Sequence, residues 1–393
     1  MTGKNLPVLF LAQLIAVSGS VLIVTIGGLV GTELAPDPAL STLPLSVLVL
    51  GTAAATVLAA MLMRAVGRRT GFALGASVAA AGACLAGYGL VVDDFFWFCA
   101  GVALYGANNA FVQQYRFAAA ESVEFEAAPR AISLVLLGAI GGAFVGPLLA
   151  THGAAYTPDE PYLASMLALG AMQLAAAGLL SRLREPVVAA GMTLSDAERT
   201  LAEIVRQPRF VVAVLGGVIG YGIMNLVMTA TPLSMHVKDG HSLEETAWVI
   251  QSHVLAMYVP SLFSGALIAR FGARAIIAAG TAVMLGMIVA GLQGHAVMHY
   301  WWSLVLLGIG WNFLFVGGTS MLVETYRPAE RFKAQAVNEF SVFGVSALAS
   351  LLAGTLIHAY GWNTILEASA PVLVVIFVAL VWQRRRDAIP QNV

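Results

Sequence analysis

Apolar runs of membrane-spanning length alternate with short polar breaks along the chain. They cover residues 7–30, 40–63, 71–91, 95–118, 130–151, 161–182, 210–233, 246–269, 275–294, 299–322, 334–358 and 363–382. A helix needs ~20 residues to cross the hydrocarbon core, and it satisfies its own backbone polar groups there. The pattern therefore predicts an all-α membrane protein with twelve transmembrane helices. The first run begins near the N-terminus, but its length suits a retained span better than a cleaved signal segment.

The breaks differ in sign on the two sides. With the N-terminus inside, one side receives Arg64, Arg68, Arg69, Arg130, Arg182, Arg184, Arg199, Arg206, Arg209, Arg270, Arg274, Arg327, Arg331, Lys333, Arg384, Arg385 and Arg386. The other side receives Lys238 with Asp93, Asp94, Asp159, Glu160, Asp239, Glu244 and Glu245. Basic loops stay inside, which predicts a multi-pass protein of the inner (plasma) membrane with both termini cytoplasmic.

The longest hydrophilic break, residues 183–209, divides the chain into an N-terminal six-helix half (1–182), a cytoplasmic linker and a C-terminal six-helix half (210–393). Its "TLSDAERTLAEIVR" predicts a short surface helix with Ser195 as N-cap and Leu201, Ile204 and Val205 on one face. An internal repeat supports two halves. "AMLMRAVGRR" (60–69) and "GALIARFGAR" (265–274) superpose at a shift of 205 residues, placing Leu62 on Leu267, Gly67 on Gly272 and Arg69 on Arg274. Tandem halves of this kind are the architecture of parallel-repeat transporters.

These loops resemble the signature of the major facilitator superfamily, G-x-L-a-D-R-x-G-R-R after the second span. Gly265, Leu267, Arg270, Gly272 and Arg274 match in one half, and Leu62, Gly67, Arg68 and Arg69 in the other. The acidic position is Arg64 in one copy and Ala269 in the other. The resemblance implies two pseudo-symmetric six-helix bundles that rock about a central site, with charged loops latching one state. Glu324 and Arg331 fit the spacing common at the cytoplasmic ends of these helices, and Glu121 and Arg130 are the looser first-half counterpart. The fifth span carries Gly142, Gly146 and Pro147, as in the core of the superfamily's antiporter motif. The resemblance also implies that Arg116 of span 4 and Glu339 of span 11 face each other across the inner gate.

Composition narrows the function classes. The chain is 59% hydrophobic and 10% charged, against about 25% charged residues in a soluble domain. A net charge of −1 and the lack of a basic tract point away from nucleic acid. Cys84 and Cys99 lie in apolar runs, where cysteine usually packs as a small hydrophobe. The sequence has no HExxH and no phosphate loop, so an enzyme, a bound metal, a cofactor and an ATP-driven pump are not expected.

The chemistry to explain lies inside the spans. "LYGANNAFVQQYR" (104–116) places Tyr105, Asn109, Gln113 and Arg116 within about one quadrant of a continuous helix, with Asn108 beside them. Gln173, Tyr221, Asn225, Gln251, His253 and Asn312 are the other polar residues at useful depth, and "GIGWNF" echoes "LYGANN" at a shift of 204, pairing Asn312 with Asn108. Amides and aromatics with little charge suit a small, largely neutral or zwitterionic organic solute. Interhelical hydrogen bonding is the plain alternative for these amides.

Glu339, Glu367 and His253 are the candidates for carrying a coupling proton. The superfamily's proton-linked exporters carry an arginine four residues before a glycine in span 4, where this chain has Val102 before Gly106. The expected protein is a monomeric secondary transporter with lipid, solute and a coupling proton or other ion as its partners. A proton-coupled exporter and a transport-inactive receptor or assembly factor on the same fold are the alternatives.

Overall fold

The computed structural model describes residues 5–37, 40, 43–157, 160, 162–184 and 199–387. Among them there is no strand. The helices are α1 (Leu6–Leu34), α2 (Leu43–Val91), α3 (Phe95–Val112), α4 (Tyr115–Ala120), α5 (Ala128–Tyr156), α6 (Leu163–Leu180), α7 (Leu201–Val205), α8 (Pro208–Pro232), α9 (Leu243–Tyr258), α10 (Ser261–Phe271), α11 (Ala273–Leu292), α12 (Val297–Val323) and α13 (Arg331–Asp387).

Ten helical segments are long and apolar enough to span a membrane among the described residues. Two of them, α2 and α13, are each broken once, at Gly67 (φ 82°, ψ 164°) and Gly361 (φ 80°, ψ 177°). Each broken helix makes two crossings, which accounts for twelve. Positive φ crowds a Cβ against the backbone, so glycine lets one helix end and the next begin without a loop. Gly272, the repeat partner of Gly67, holds nearly the same conformation (φ 83°, ψ 154°) between α10 and α11. The duplication read from sequence is thus a duplication of backbone geometry.

Two spans are less continuous than their composition predicts. The fourth stops at Val112, turns at Gln113 and Gln114, and resumes as α4. There the Gln114 amide donates to Phe111 O, three residues back, at 2.9 Å. The eighth breaks between α9 and α10 at Pro260, which has no N–H to continue the ladder. Beyond α8 the chain makes a π-helical turn, Leu233–Lys238.

The chain divides into two compact units, Met1–Glu124 with Leu134–Ser195, and Phe125–Ser133 with Asp196–Val393. In unit 1, α3 packs against α1, α2 and α6 through a buried cluster that includes Ile26, Ala83, Val102 and Met166. Cys99 is buried, whereas Cys84 is exposed on α2. In unit 2, α12 is the most enclosed span, with 78% of its most apolar window buried. The short start of α5 belongs to unit 2, where Ser133 Oγ lies 3.3 Å from Ser264 Oγ of α10.

Ser195 and most of the 183–209 segment lie outside the described residues. The helix expected there appears as α7, capped by Thr200. The Thr200 side chain and amide both bond Glu203, which holds that carboxyl below its ordinary range. Arg199 fixes α7 to unit 2. Its guanidinium grips the fully buried Glu330 (NH2 to Oε2, 2.6 Å) and donates to Thr325 O at 2.9 Å.

Candidate functional site

The amide-rich stretch of unit 1 separates into two groups. Tyr105 is fully buried; its hydroxyl donates to Ala16 O at 2.8 Å and accepts from Gln173 Nε2 at 2.8 Å. These two residues tie α1, α3 and α6 together. Asn108 is also buried, close to Gly75 of α2, and its amide atoms have no hydrogen-bond partner among the described residues. Asn109 and Gln113 are half-buried. Asn109 accepts from Ser20 Oγ at 3.3 Å, and Gln113 accepts from Arg116 NH1 at 2.8 Å. Arg116 is 2% exposed and lies over the Phe117 ring at 4.6 Å.

Unit 2 supplies a different surface. Tyr221 of α8 has Trp311, Phe315 and Phe343 each at a ring distance of 5.2 Å. Trp311 and Phe315 stack at 4.9 Å with planes 17° apart, and Tyr258 meets Trp311 at 5.8 Å. Tyr221 and Tyr258 keep partial exposure, and Asn225, one turn beyond Tyr221, bonds Ser346 of α13. The Trp311 indole N–H is buried without a partner among the described residues. The result is an aromatic wall with amides at its edge. Sequence reading named only Tyr221 and Asn225 of this group. The four-residue spacing of Trp311 and Phe315 on one helical face was a readable signal for those two, whereas Phe343 and Tyr258 come from other helices.

His253 and Asn312 meet between α9 and α12. His253 is fully buried with Nδ1 2.7 Å from Leu304 O. A carbonyl only accepts, so Nδ1 carries a hydrogen, and Nε2 has no hydrogen-bond partner among the described residues. Asn312 Nδ2 donates to Met257 O at 2.8 Å and Ser261 Oγ at 2.7 Å, bridging the break at Pro260. Gln251 is exposed on α9, the helix that carries His253.

The charged residues lie mainly at the helix ends marked by basic loops. Arg68 NH2 pairs with Glu121 Oε1 at 2.7 Å, and Arg68 NH1 donates to Gln114 O at 3.3 Å. Glu324 pairs with Arg209 at 3.2 Å, and Arg274 Nε donates to Gln383 Oε1 at 3.3 Å. Arg331 lies over the Phe332 ring at 4.8 Å, and Arg69 and Arg130 are exposed. Glu339 is buried in unit 2 and accepts from Asn338 Nδ2 at 2.7 Å. Glu367 is exposed on α13. No cluster of three or more His, Cys, Asp or Glu suited to a metal occurs among the described residues.

Twelve crossings, duplicated glycine turns and polar groups held at depth define a polytopic transporter fold. The Major Facilitator Superfamily model matches residues 8–239 and 213–392, and the chain belongs to that family of transporters. It is similar to the riboflavin transporter RfnT of Brucella anthropi, at 42% identity over 96% of this chain and 95% of the relative. The Bacillus subtilis MFS-type transporter YdeG is 27% identical over 98% of this chain and 92% of its own. Among solved structures, the Escherichia coli fucose:proton symporter FucP superposes with a TM-score of 0.75 at 15% identity, covering 98% and 99% of the two chains.

Proposed function

We propose that this protein is a secondary transporter that moves riboflavin, or a closely similar flat and largely neutral heterocycle, by alternating access. The observation that carries the reading is the 42% identity to a riboflavin transporter along nearly the full length of both chains. The side chains support it. The wall around Tyr221, Trp311, Phe315 and Phe343 offers ring faces and edges to a planar ring system. Asn109, Gln113 and Asn225 are half-buried amides suited to ring carbonyls and a polyhydroxyl chain. In this proposal the protein works as a monomer in the inner membrane, and the basic loops support placing both termini in the cytoplasm.

Labelled riboflavin flux in proteoliposomes tests this directly. Flux should be saturable, and Tyr221→Ala or Asn225→Ala should raise KM about tenfold, a loss of ~1.4 kcal/mol, while protein remains in the membrane. Flux no greater than in empty vesicles would end the riboflavin reading. The gate is a separate part of the proposal. Arg116 and Glu339 serve the cytoplasmic gate in this reading, so Arg116→Ala and Glu339→Ala should each lower transport while protein remains in the membrane. The glycines of span 5 serve packing. A Cβ at Gly142 would lie 2.7 Å from Val17 Cβ, and one at Gly146 would lie 2.7 Å from Ser18 O of α1.

A further inference from the structure

At the basic end of unit 1, where α2 breaks and α6 ends, lies an open cavity of about 740 Å³. Arg69, Arg182 and Arg184 line it together with Thr70 and Ser181, and Val66 and Leu183 form its apolar part. No acidic residue is among these lining groups. The three arginines are exposed, so their guanidinium groups are within reach of a ligand. The segment that bears two of them is held in place. Asn5 Nδ2 donates to Arg184 O at 2.8 Å, and the Arg184 amide donates back to Asn5 Oδ1 at 3.0 Å. The first half of α2 and α6 end at this cavity and the second half of α2 begins there, so the helix dipoles alone make no anion site and the arginines supply its positive charge.

Two apolar stripes lead away from the cavity. On α2, Thr70 is followed at four-residue steps by Leu74 and Val78, both exposed. On α6, Ser181 is preceded at seven-residue steps by Leu174 and Leu167, also exposed. Both spacings keep a stripe on one face of its helix. The two helices pack together, for a Cβ at Gly87 of α2 would sit 3.5 Å from Met166 Cβ of α6.

We propose that this cavity holds the headgroup phosphate of an anionic phospholipid, with the acyl chains lying along the two stripes. Guanidinium groups bind phosphate oxygens through paired N–H donors. A free phosphate would satisfy the arginines and leave the stripes uncovered. A zwitterionic lipid would bring an ammonium group to a lining that, among the described residues, offers it no carboxylate. The site does not depend on which solute is transported.

The test uses the full chain purified in detergent, with native mass spectrometry counting retained lipid. Phosphatidylglycerol should be retained at concentrations where phosphatidylcholine is not, and millimolar inorganic phosphate should not displace it. At ~1 kcal/mol per basic residue, each of Arg69→Gln, Arg182→Gln and Arg184→Gln should weaken phosphatidylglycerol binding about fivefold, and the triple variant on the order of a hundredfold. Arg130→Gln, an exposed arginine outside the cavity, should leave binding unchanged. Equal retention of phosphatidylcholine would overturn the anionic lipid, and displacement by phosphate would reassign the cavity to the free ion. Wild-type binding by the single variants, which alter exposed side chains and so keep the fold, would overturn the site.

Discussion

Gly67 and Gly272 turn the chain through nearly the same dihedral angles, yet the charges beside them are held in different ways. In unit 1 Arg68 follows the glycine and turns inward. It is 5% exposed, with its guanidinium 2.7 Å from Glu121. In unit 2 the matching residue is the buried Ala273, and the next residue, Arg274, bonds the Gln383 amide. Glu324, two residues short of the position that the repeat shift gives Glu121, instead pairs with Arg209 in a more exposed setting (31% and 51%). The backbone turn is the duplicated element, and the ion pairs around it have diverged. A turn that needs positive φ tolerates little besides glycine, whereas a charge can find its partner on any neighbouring helix.

The largest expected effect separates the two locks. Arg68→Ala leaves Glu121 and the Gln114 carbonyl without that donor in a largely enclosed place. Breaking such a pair costs about 3–5 kcal/mol. Thermal unfolding of the purified protein should show the loss, and Glu121→Gln in the Arg68→Ala background should add little to it. If Arg68→Ala and Arg209→Ala destabilise equally, the difference between the two locks is not energetic.

Next comes the shared turn. Gly67→Ala and Gly272→Ala each force a Cβ into a positive-φ, extended conformation open essentially to glycine alone, at about 1–3 kcal/mol. A Cβ at Gly272 meets no atom within 4 Å, so its cost is conformational, and an equal cost at Gly67 would show that the shared dihedral angles set both. A much larger loss at one glycine than at the other would mean that the turns share angles without sharing a role.

What was legible in the sequence follows the same division between local and distant causes. Span count and the repeated loop position of Gly67 and Gly272 depend on neighbouring residues, so apolar run length and a 205-residue shift were enough to find them, although not the positive-φ turn each glycine makes. The break at Gln113 was not legible, because its residues favour helix and the ladder shifts there by a single hydrogen bond. Nor was the Arg68–Glu121 pair, whose members lie 53 residues apart. The aromatic wall needed tertiary contacts, since Tyr221, Trp311 and Phe343 come from three helices. Among the amides, Asn108 and Asn109 differ by one residue and about 100° of helix, which puts one inside the bundle and leaves the other half-exposed.

That difference makes a smaller test. Asn312 bridges the Pro260 break through two hydrogen bonds, so Asn312→Ala should cost about 1 kcal/mol. Asn108 sits at the corresponding place with its amide atoms unpartnered among the described residues, so Asn108→Ala should be nearly neutral or slightly stabilising. Equal losses in thermal unfolding would mean that the two positions have kept one shared role.

The smallest effect belongs to Arg209. Its pair with Glu324 is half-open to solvent, where the charges remain largely hydrated and salt screens their attraction. Exposed pairs contribute about 0.2–1 kcal/mol. Arg209→Ala should therefore lower the unfolding temperature only slightly at low salt, and the difference should shrink further at 0.5 M sodium chloride. The Arg68→Ala loss should persist in the same buffer, because the Arg68–Glu121 pair is shielded from ions. A loss at Arg209 that is insensitive to salt would show that Arg209 acts through packing of its aliphatic stem, and the contrast between a buried lock and an open one would then rest on Arg68 alone.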